Sequence, residues 1–390
     1  MPPEVQVGSA DIVDYEFEWG RDGVVCEPCN GGAGNTRFTY VDTSHRLWVA
    51  RVDPVTGDFL PYDGQGTLVG RNAVTAKEVG NGPEWALSQR GSEIIYTRWT
   101  DGLPRVARNF QLGFASMSAG AWTAGPLVGA QGRLLPFATL DAGDPLPSIH
   151  YQTTVTALPY WRDLVDGAPE QPIGVGAGSN TTRRWIAGTR DLLITAPGPA
   201  GPKDHVYAQI FLYHTLTGAM EQLTEDPINK VFAFMWKAPE FDNDDTMFTV
   251  INGRQFRIYR KVRRSDSLAR WKVVNLIDMP DATPYIVSPE PFVHNGKSWI
   301  VFQLSANADP QNYAVPSLIA MTGIEPDTNT LRLLTSDTDP PRQRRDPEYF
   351  VTANGPYIYY DRYVLPTDNS PLTHEGVFRV DGGLGPRVGP

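Results

Sequence analysis

The chain has 390 residues, and its 44 acidic and 34 basic side chains give a formal net charge of −10. This balance argues against a general nucleic-acid-binding protein, because neutralising phosphates requires a basic surface. With 37 Gly, 34 Pro and 11% aromatic residues, the composition is typical of many short strands joined by turns. No apolar run approaches the roughly 18 residues that a membrane helix needs, so we also expect no membrane partner.

The first segments of the chain bear on location and on how the fold closes. Residues 1–4 contain neither a basic segment nor the start of an apolar stretch, so we expect no signal peptide and a cytoplasmic protein. Residues 12–19 alternate between apolar and polar side chains, which predicts a strand.

A short motif then recurs four times: a Pro-Glu pair near an aromatic residue, followed by a turn and a β-rich run. Its glutamates are Glu84, Glu240, Glu290 and Glu348, which lie 156, 50 and 58 positions apart. Because 156 is three steps of 52, the period is close to fifty, with two diverged units between the first and second copies. Such a period is typical of the blades of a β-propeller.

The repeat predicts an all-β protein, a seven-bladed β-propeller of four-stranded antiparallel blades, as one domain over residues 1–390; six blades are the alternative. The second strands are expected at residues 37–41, 93–98, 148–151, 192–195, 247–251, 298–303 and 356–361. Asn-Gly pairs at 252–253, 295–296 and 354–355 predict tight hairpins, since both residues accept a positive φ.

The last unit supplies only three strands, at residues 348–352, 356–363 and 376–380. We expect an N-terminal strand, residues 12–19, to complete this blade as its outer strand. A closed ring leaves no exposed sheet edge of the kind an open one would have.

Two segments carry a resemblance to known families. Residues 222–241, with Leu-Thr-Glu-Asp leading to Trp-Lys-Ala-Pro-Glu-Phe, resemble the TolB-type propeller repeat, in which a Leu-Thr pair closes one blade and Trp-x-x-Pro opens the next. Residues 289–299 are similar to blades of the furanosidase propellers. That second resemblance implies catalytic carboxylates at the starts of innermost strands, although the furanosidase propellers have five blades and typically a Glu-Gly-Pro context.

If Pro-Glu opens the innermost strand of each blade, its glutamates arrive at one level of the central channel. The predicted ligand-binding residues at that level are Glu27, Glu84, Arg184, Glu240 and, just before Glu348, Arg345. Crowded carboxylates raise some pKa values while an arginine lowers others, which produces an acid and a base in one pocket.

The predicted catalytic residues are Glu290 and Glu348, as acid and base, with His294 as a proton-transfer partner. His294 follows Glu290 by four positions, so in a strand both lie on the same face. The competing interpretations are structural: a repeated glutamate accepting backbone N–H bonds from the next blade, and a histidine capping its Asn-Gly turn.

Cofactors are not required by this scheme, but calcium is an alternative occupant of a carboxylate ring, and the acidic turn at residues 242–245 superficially resembles a calcium loop. The cysteines of Cys26-Glu27-Pro28-Cys29 favour packed thiols or a local disulfide over redox catalysis.

These residues predict an enzyme, of hydrolase or lyase type, that performs carboxylate acid–base chemistry on a polar, carbohydrate-like small molecule. One alternative is a non-catalytic binding platform that uses outer loops or the basic hairpin of residues 254–272. Another is a biosynthetic cyclase or isomerase acting on a non-sugar metabolite.

Overall fold

A computed structural model describes residues 1–18, 36–61, 66–174, 182–200, 205–263, 269–309, 314–326, 330–338, 340–365 and 372–388. Their architecture is the predicted one, a seven-bladed all-β propeller built from antiparallel sheets. In the described part of the chain the helical elements are short: α1 (Ala76–Val79) and two 3-10 turns, Ala107–Asn109 and Pro239–Phe241. No helix of the described residues is long and apolar enough to cross a membrane.

Strand β1 (Val5–Gln6) belongs to the last blade, and the first blade begins with the next strand. Blade 1 contains β2 (Ile12–Phe17), β3 (Arg37–Asp42), β4 (Arg46–Val52), β5 (Phe59–Leu60) and β6 (Thr67–Arg71), the last pairing with β4. Blade 2 contains β7 (Glu84–Ser88), β8 (Gly91–Trp99), β9 (Phe110–Ser118) and β10 (Ala121–Gln131). Blade 3 contains β11 (Arg133–Ala138), β12 (Ser148–Thr153), β13 (Pro159–Asp163) and β14 (Gln171–Pro172).

The remaining blades follow the same order from the axis outwards. Blade 4 contains β15 (Arg183–Trp185), β16 (Asp191–Ala200), β17 (His205–His214) and β18 (Ala219–Gln222). Blade 5 contains β19 (Lys230–Ala238), β20 (Asp244–Ile251), β21 (Gln255–Arg263) and β22 (Ala269–Asp278). Blade 6 contains β23 (Tyr285–His294), β24 (Lys297–Ser305), β25 (Ser317–Gly323) and β26 (Arg332–Leu333). Blade 7 contains β27 (Arg342–Thr352), β28 (Gly355–Val364), β29 (Thr373–Asp381) and β1.

The second strands β3, β8, β12, β16, β20, β24 and β28 fall where the sequence predicts them. Two of the Asn-Gly hairpins adopt positive φ at both residues, 51° and 71° at Asn252 and Gly253, and 51° and 73° at Asn295 and Gly296. These values match the mirror-image turns that suit the twist of paired strands.

The ring is closed by an N-terminal strand, as predicted, but the strand is β1 rather than residues 12–19. Val5 pairs with Arg379 of β29, and the backbone bonds continue from the N–H of Val7 to Val377. Strand β2 is instead the innermost strand of blade 1. The apolar and polar side chains of β2 alternate because the strand lies between two blades. Successive side chains therefore face opposite neighbouring blades.

The hydrophobic core is distributed over the seams between blades. Each of the seven seams has its own cluster of buried apolar side chains, such as Phe256 with Phe302 between blades 5 and 6 and Phe17 with Tyr359 between blades 1 and 7. Since each blade buries its faces against its neighbours, the innermost strands are held side by side around the axis.

Candidate functional site

The innermost strands place one residue of each blade at an equivalent position, opposite the middle of the second strand; we call these seven residues the ring. In blade order the ring consists of Glu16, Glu84, Phe137, Arg184, Phe234, Glu290 and Glu348. Four consecutive blades, 6, 7, 1 and 2, thus contribute acids, and blades 3 to 5 contribute an arginine between two phenylalanines.

A β-bulge fixes this position in four of the blades. The residue two positions before the ring residue has a left-handed φ of 44° to 58° at Leu135, Phe232, Ser288 and Asp346. In three of these blades the next residue is a proline, which has no N–H and therefore interrupts the ladder at that point. The proline of the Pro-Glu motif accordingly sets the register of the glutamate that follows it in blades 6 and 7.

Tryptophan side chains tie neighbouring inner strands together at ring level. The indole N–H of Trp85 in blade 2 donates to the backbone oxygen of Glu16 in blade 1, at 2.9 Å. The indole N–H of Trp185 in blade 4 donates to the backbone oxygen of Phe137 in blade 3, at 3.0 Å. Both tryptophans directly follow a ring residue, so these equivalent bonds show that the ring residues of neighbouring blades lie at matching heights.

A cavity of about 50 Å³ opens at this level. Its lining includes the ring residues Glu16, Glu84, Phe137, Arg184 and Phe234. We call this cavity the axial recess; it has room for a few water molecules and therefore for a compact polar group.

Arg184 lies between aromatic side chains of the two adjacent blades. Its guanidinium carbon is 4.5 Å from the ring centroid of Phe137 and 5.2 Å from that of Phe234. Beside it, burial and the charge of Arg184 lower the pKa of Arg183 to about 10. Burial, aided by the two arginines, also holds the pKa of His150 well below its ordinary value, so this imidazole is neutral.

The four ring glutamates are buried. Their exposed fractions are 7% for Glu16, 8% for Glu84, 5% for Glu290 and 6% for Glu348. The predicted pair Glu290 and Glu348 therefore occupies equivalent positions in adjacent blades, next to the acids of blades 1 and 2.

The expectation that Glu240 shares this level is wrong. The segment Pro239–Phe241 forms a 3-10 turn after β19, and the Glu240 carboxylate accepts hydrogen bonds from the backbone N–H and the hydroxyl of Ser298, both at 2.8 Å. Phe234 occupies the ring position of blade 5. Glu240 is thus the structural alternative of the sequence analysis, an acid that binds the backbone of the next blade.

The expectation that His294 assists Glu290 is also wrong in its geometry. Four residues of strand separate the two by about 13 Å. A ring nitrogen of His294 lies 3.0 Å from the backbone oxygen of Gly385, next to the Asn295 turn. Burial lowers the pKa of this imidazole, so the side chain serves as a neutral cap.

Glu27 lies outside the described residues, as do both cysteines. In blade 1 the ring position belongs to Glu16. The sequence analysis does not identify Glu16, because it places residues 12–19 in an outer strand. The indication was present: Asp14, Glu16 and Glu18 alternate with Tyr15 and Phe17, a pattern of acids that an outer edge strand does not need.

Arg345 lies apart from Arg184, at the seam between blades 7 and 1. It pairs across the strands with Asp361, and burial lowers the pKa of its guanidinium although Asp346, Asp361 and Asp14 oppose that change. Burial in turn raises the pKa of Asp14 well above its ordinary value, against a hydrogen bond from the N–H of Ala76.

His374 connects this seam to the N-terminal segment. Its two ring nitrogens lie 3.0 Å from the backbone oxygen of Ala10 and 3.1 Å from the Asp361 carboxylate. Burial alone would lower the pKa of His374, but the bond and charge of Asp361 raise it above its ordinary value. Two acceptors on one imidazole favour the doubly protonated form.

Ion pairs join the acidic turn of residues 242–245 to the basic hairpin. Arg260 binds Asp244 at 2.8 Å and Asp242 at 3.1 Å, so the acidic turn neutralises part of the basic hairpin. Arg257 of that hairpin binds Asp226. Among the described residues, no group of three or more His, Cys, Asp or Glu side chains is arranged to hold a metal ion.

Comparisons with known proteins agree with the fold. No family model matches the chain, and no curated protein matches it significantly. The β-propeller domain of Cps50 (Swd1) from Myceliophteria thermophila is similar over 97% of this chain and 99% of its own, with a TM-score of 0.53 and 9% identity. The oligogalacturonate lyase of Vibrio parahaemolyticus is similar over 97% of this chain and 93% of its own, with a TM-score of 0.51 and 10% identity. At these identities the similarity shows the propeller fold alone.

Proposed function

We propose that this protein is an enzyme that binds a polar, carbohydrate-like small molecule at the propeller axis and performs acid–base chemistry on it, as a hydrolase or lyase. The observation that carries the proposal is the axial recess, in which Glu16 and Glu84 lie in one lining with Arg184. Carboxylates and a cation in a partly desolvated cavity are the elements from which proteins make an acid and a base.

Glu290 and Glu348 are the proposed acid and base. They continue the acidic arc at equivalent positions in blades 6 and 7, and both are largely removed from water. Repulsion between neighbouring carboxylates favours one protonated and one ionised member, which is what glycosidic bond cleavage asks of a carboxyl pair. Glu84 and Glu16 are proposed to bind the ligand in the recess, and Arg345, at the seam between blades 7 and 1, is the proposed ligand-binding residue of blade 7.

The sequence resemblances support this proposal without carrying it. Residues 222–241 resemble the TolB-type repeat, and residues 289–299 are similar to furanosidase blades and include Glu290. The propeller of an oligogalacturonate lyase shows that this fold can carry an enzyme of the lyase class, so we include acidic sugars among the ligands proposed here.

The proposed chemistry uses no cofactor, and calcium on the carboxylate arc is the alternative hypothesis. Turnover that is lost with EDTA and restored by calcium would favour the alternative. Turnover unchanged by EDTA is the expected result.

The test is turnover of a panel of aryl glycosides and oligogalacturonides by the wild-type protein and by Glu290→Gln and Glu348→Gln. We expect each substitution to lower kcat by about 10²- to 10⁴-fold, as removal of a general acid or base does. Glu325→Gln is the matched control, because Glu325 binds Lys297 on the surface of blade 6. Turnover by both ring variants at the wild-type rate contradicts the proposal.

A further inference from the structure

We propose that the ligand of the axial recess carries a carboxylate, or another compact planar anion, and that Arg184 binds this group while Glu16 and Glu84 accept hydrogen bonds from its hydroxyls. This inference rests on the proposed function only in taking the recess as the ligand site. It names the chemical class as hydroxy carboxylic acids, with acidic sugars among them.

The first support is the position of Arg184 between two aromatic rings. The contacts of 4.5 Å with Phe137 and 5.2 Å with Phe234 come from blades 3 and 5, so both neighbouring inner strands restrict the guanidinium. An arginine ordered in this way loses little conformational freedom on binding, and its fork of N–H groups matches a carboxylate. A lysine at this position would offer neither property.

The second support is the concentration of positive charge around Arg184. Arg183 directly precedes Arg184 in β15, and its pKa is lowered by burial and by the charge of Arg184. An anion that enters the recess relieves this repulsion between the two guanidinium groups. His150, which stacks on Phe137 at 5.0 Å, is neutral and adds no charge. The positive charge therefore comes from Arg184 in the lining of the recess and from Arg183 at the adjacent position of β15.

The third support is the size and polarity of the recess. A cavity of about 50 Å³ holds a compact group rather than a whole sugar ring, so one end of the ligand enters. Carboxylates of Glu16 and Glu84 repel an anion but accept bonds from hydroxyls. The anionic group is therefore directed to blade 4 and the hydroxyls to blades 1 and 2.

Two pairs of probes distinguish the effect of the ligand's charge on binding from the effect of a sugar ring. They are D-galacturonate with D-galactose, and D-glycerate with glycerol. Binding is measured by isothermal titration calorimetry with the wild-type protein, Arg184→Met and Arg184→Lys. Arg332→Met is the matched control, because Arg332 also lies over an aromatic ring, 5.3 Å from Trp299, but in the outer strand of blade 6.

We expect each anionic probe to bind at least tenfold more tightly than its neutral partner. Arg184→Met should abolish this preference, Arg184→Lys should retain part of it, and Arg332→Met should leave it unchanged. Acetate should compete with galacturonate on the wild-type protein, which tests the inference even if the variants fail to fold.

The outcomes distinguish this inference from the proposed function. If galactose binds as tightly as galacturonate, the inference fails while the carbohydrate-binding function stands. If glycerate binds through Arg184 but neither sugar binds, the inference stands and the carbohydrate ligand is wrong. Absence of binding by both anions, or wild-type affinity in folded Arg184→Met, overturns the inference.

Discussion

Buried and half-buried glutamates occupy two kinds of region in this propeller, the edges of the blades, by which we mean the ends of their strands, and the channel axis. At the edges, Glu4 binds Arg344 and Tyr360, and Glu240 binds Ser298, so each acid joins elements that are distant in sequence. At the axis, Glu16 and Glu84 line a recess. The same residue type therefore holds blades together in one region and shapes a cavity in the other, and position along the strand decides which.

The largest expected effect of an edge substitution is at Arg344. Its side chain is 1% exposed and donates to both oxygens of Glu4, at 2.6 and 3.0 Å, and to the backbone oxygens of Ser317 and Ser336. Arg344→Met removes these four hydrogen bonds, although the Tyr360 hydroxyl still donates to Glu4, and should lower the free energy of unfolding by about 3–5 kcal/mol, measured by chemical denaturation. Arg332→Met is the control; a loss below about 1 kcal/mol would mean that this network does not hold the N-terminal segment.

The second edge prediction concerns Glu240. Glu240→Ala removes the acceptor for the N–H and hydroxyl of Ser298, and a lost hydrogen bond to a charged group costs about 1.5–3 kcal/mol. Thermal and denaturant unfolding of this variant beside Glu325→Ala measures the difference. Equal stability of the two variants would remove the distinction between edge and surface acids.

The sequence predicts most of the strands because their turns and periodicity are local. The Pro-Glu motif alone mislocates Glu240, because the motif does not contain the distance from the glutamate to the next strand. Glu84, Glu290 and Glu348 each pair with the residue eleven positions further on, Ile95, Val301 and Tyr359. Glu240 has no such partner, since it lies beyond the end of β19.

Other parts of the site depend on contacts that one sequence does not contain. The closing strand β1 has two residues, too few for a periodic pattern, and it is held by pairing with β29 more than 370 positions away. The position of Arg184 between Phe137 and Phe234 likewise depends on three different blades. The sequence predicts that the ring contains charged residues. It does not predict that the acids lie together on one side and that the arginine lies between two phenylalanines on the other.

His374 gives an edge prediction that depends on pH. Its folded-state pKa is raised above about 6.5, so its bonds to Asp361 and Ala10 contribute stability that is fully present below pH 6.5 and is lost as the pH rises through the folded pKa. The loss should be up to about 1 kcal/mol, seen as a fall in Tm from pH 6 upwards that His374→Asn abolishes. His214→Asn, a change on the surface of blade 4, is the control. If Tm falls with pH as much in His374→Asn as in the wild-type protein, the pH dependence belongs to other groups.

The smallest expected effect on stability is at the axis. Glu84→Gln keeps the shape of the side chain and a carbonyl oxygen that still accepts hydrogen bonds, and it removes one charge from the acidic arc, so repulsion with neighbouring acids decreases while packing is retained. The free energy of unfolding should change by no more than about 0.5 kcal/mol, and the double variant Glu16→Gln/Glu84→Gln should be no less stable than either single one. A loss above about 2 kcal/mol would place Glu84 with Glu240 among the structural acids. A ring glutamate that contributes little to stability yet remains buried at the axis is one that the fold itself does not require, and this separates a ligand-binding carboxylate from a structural one.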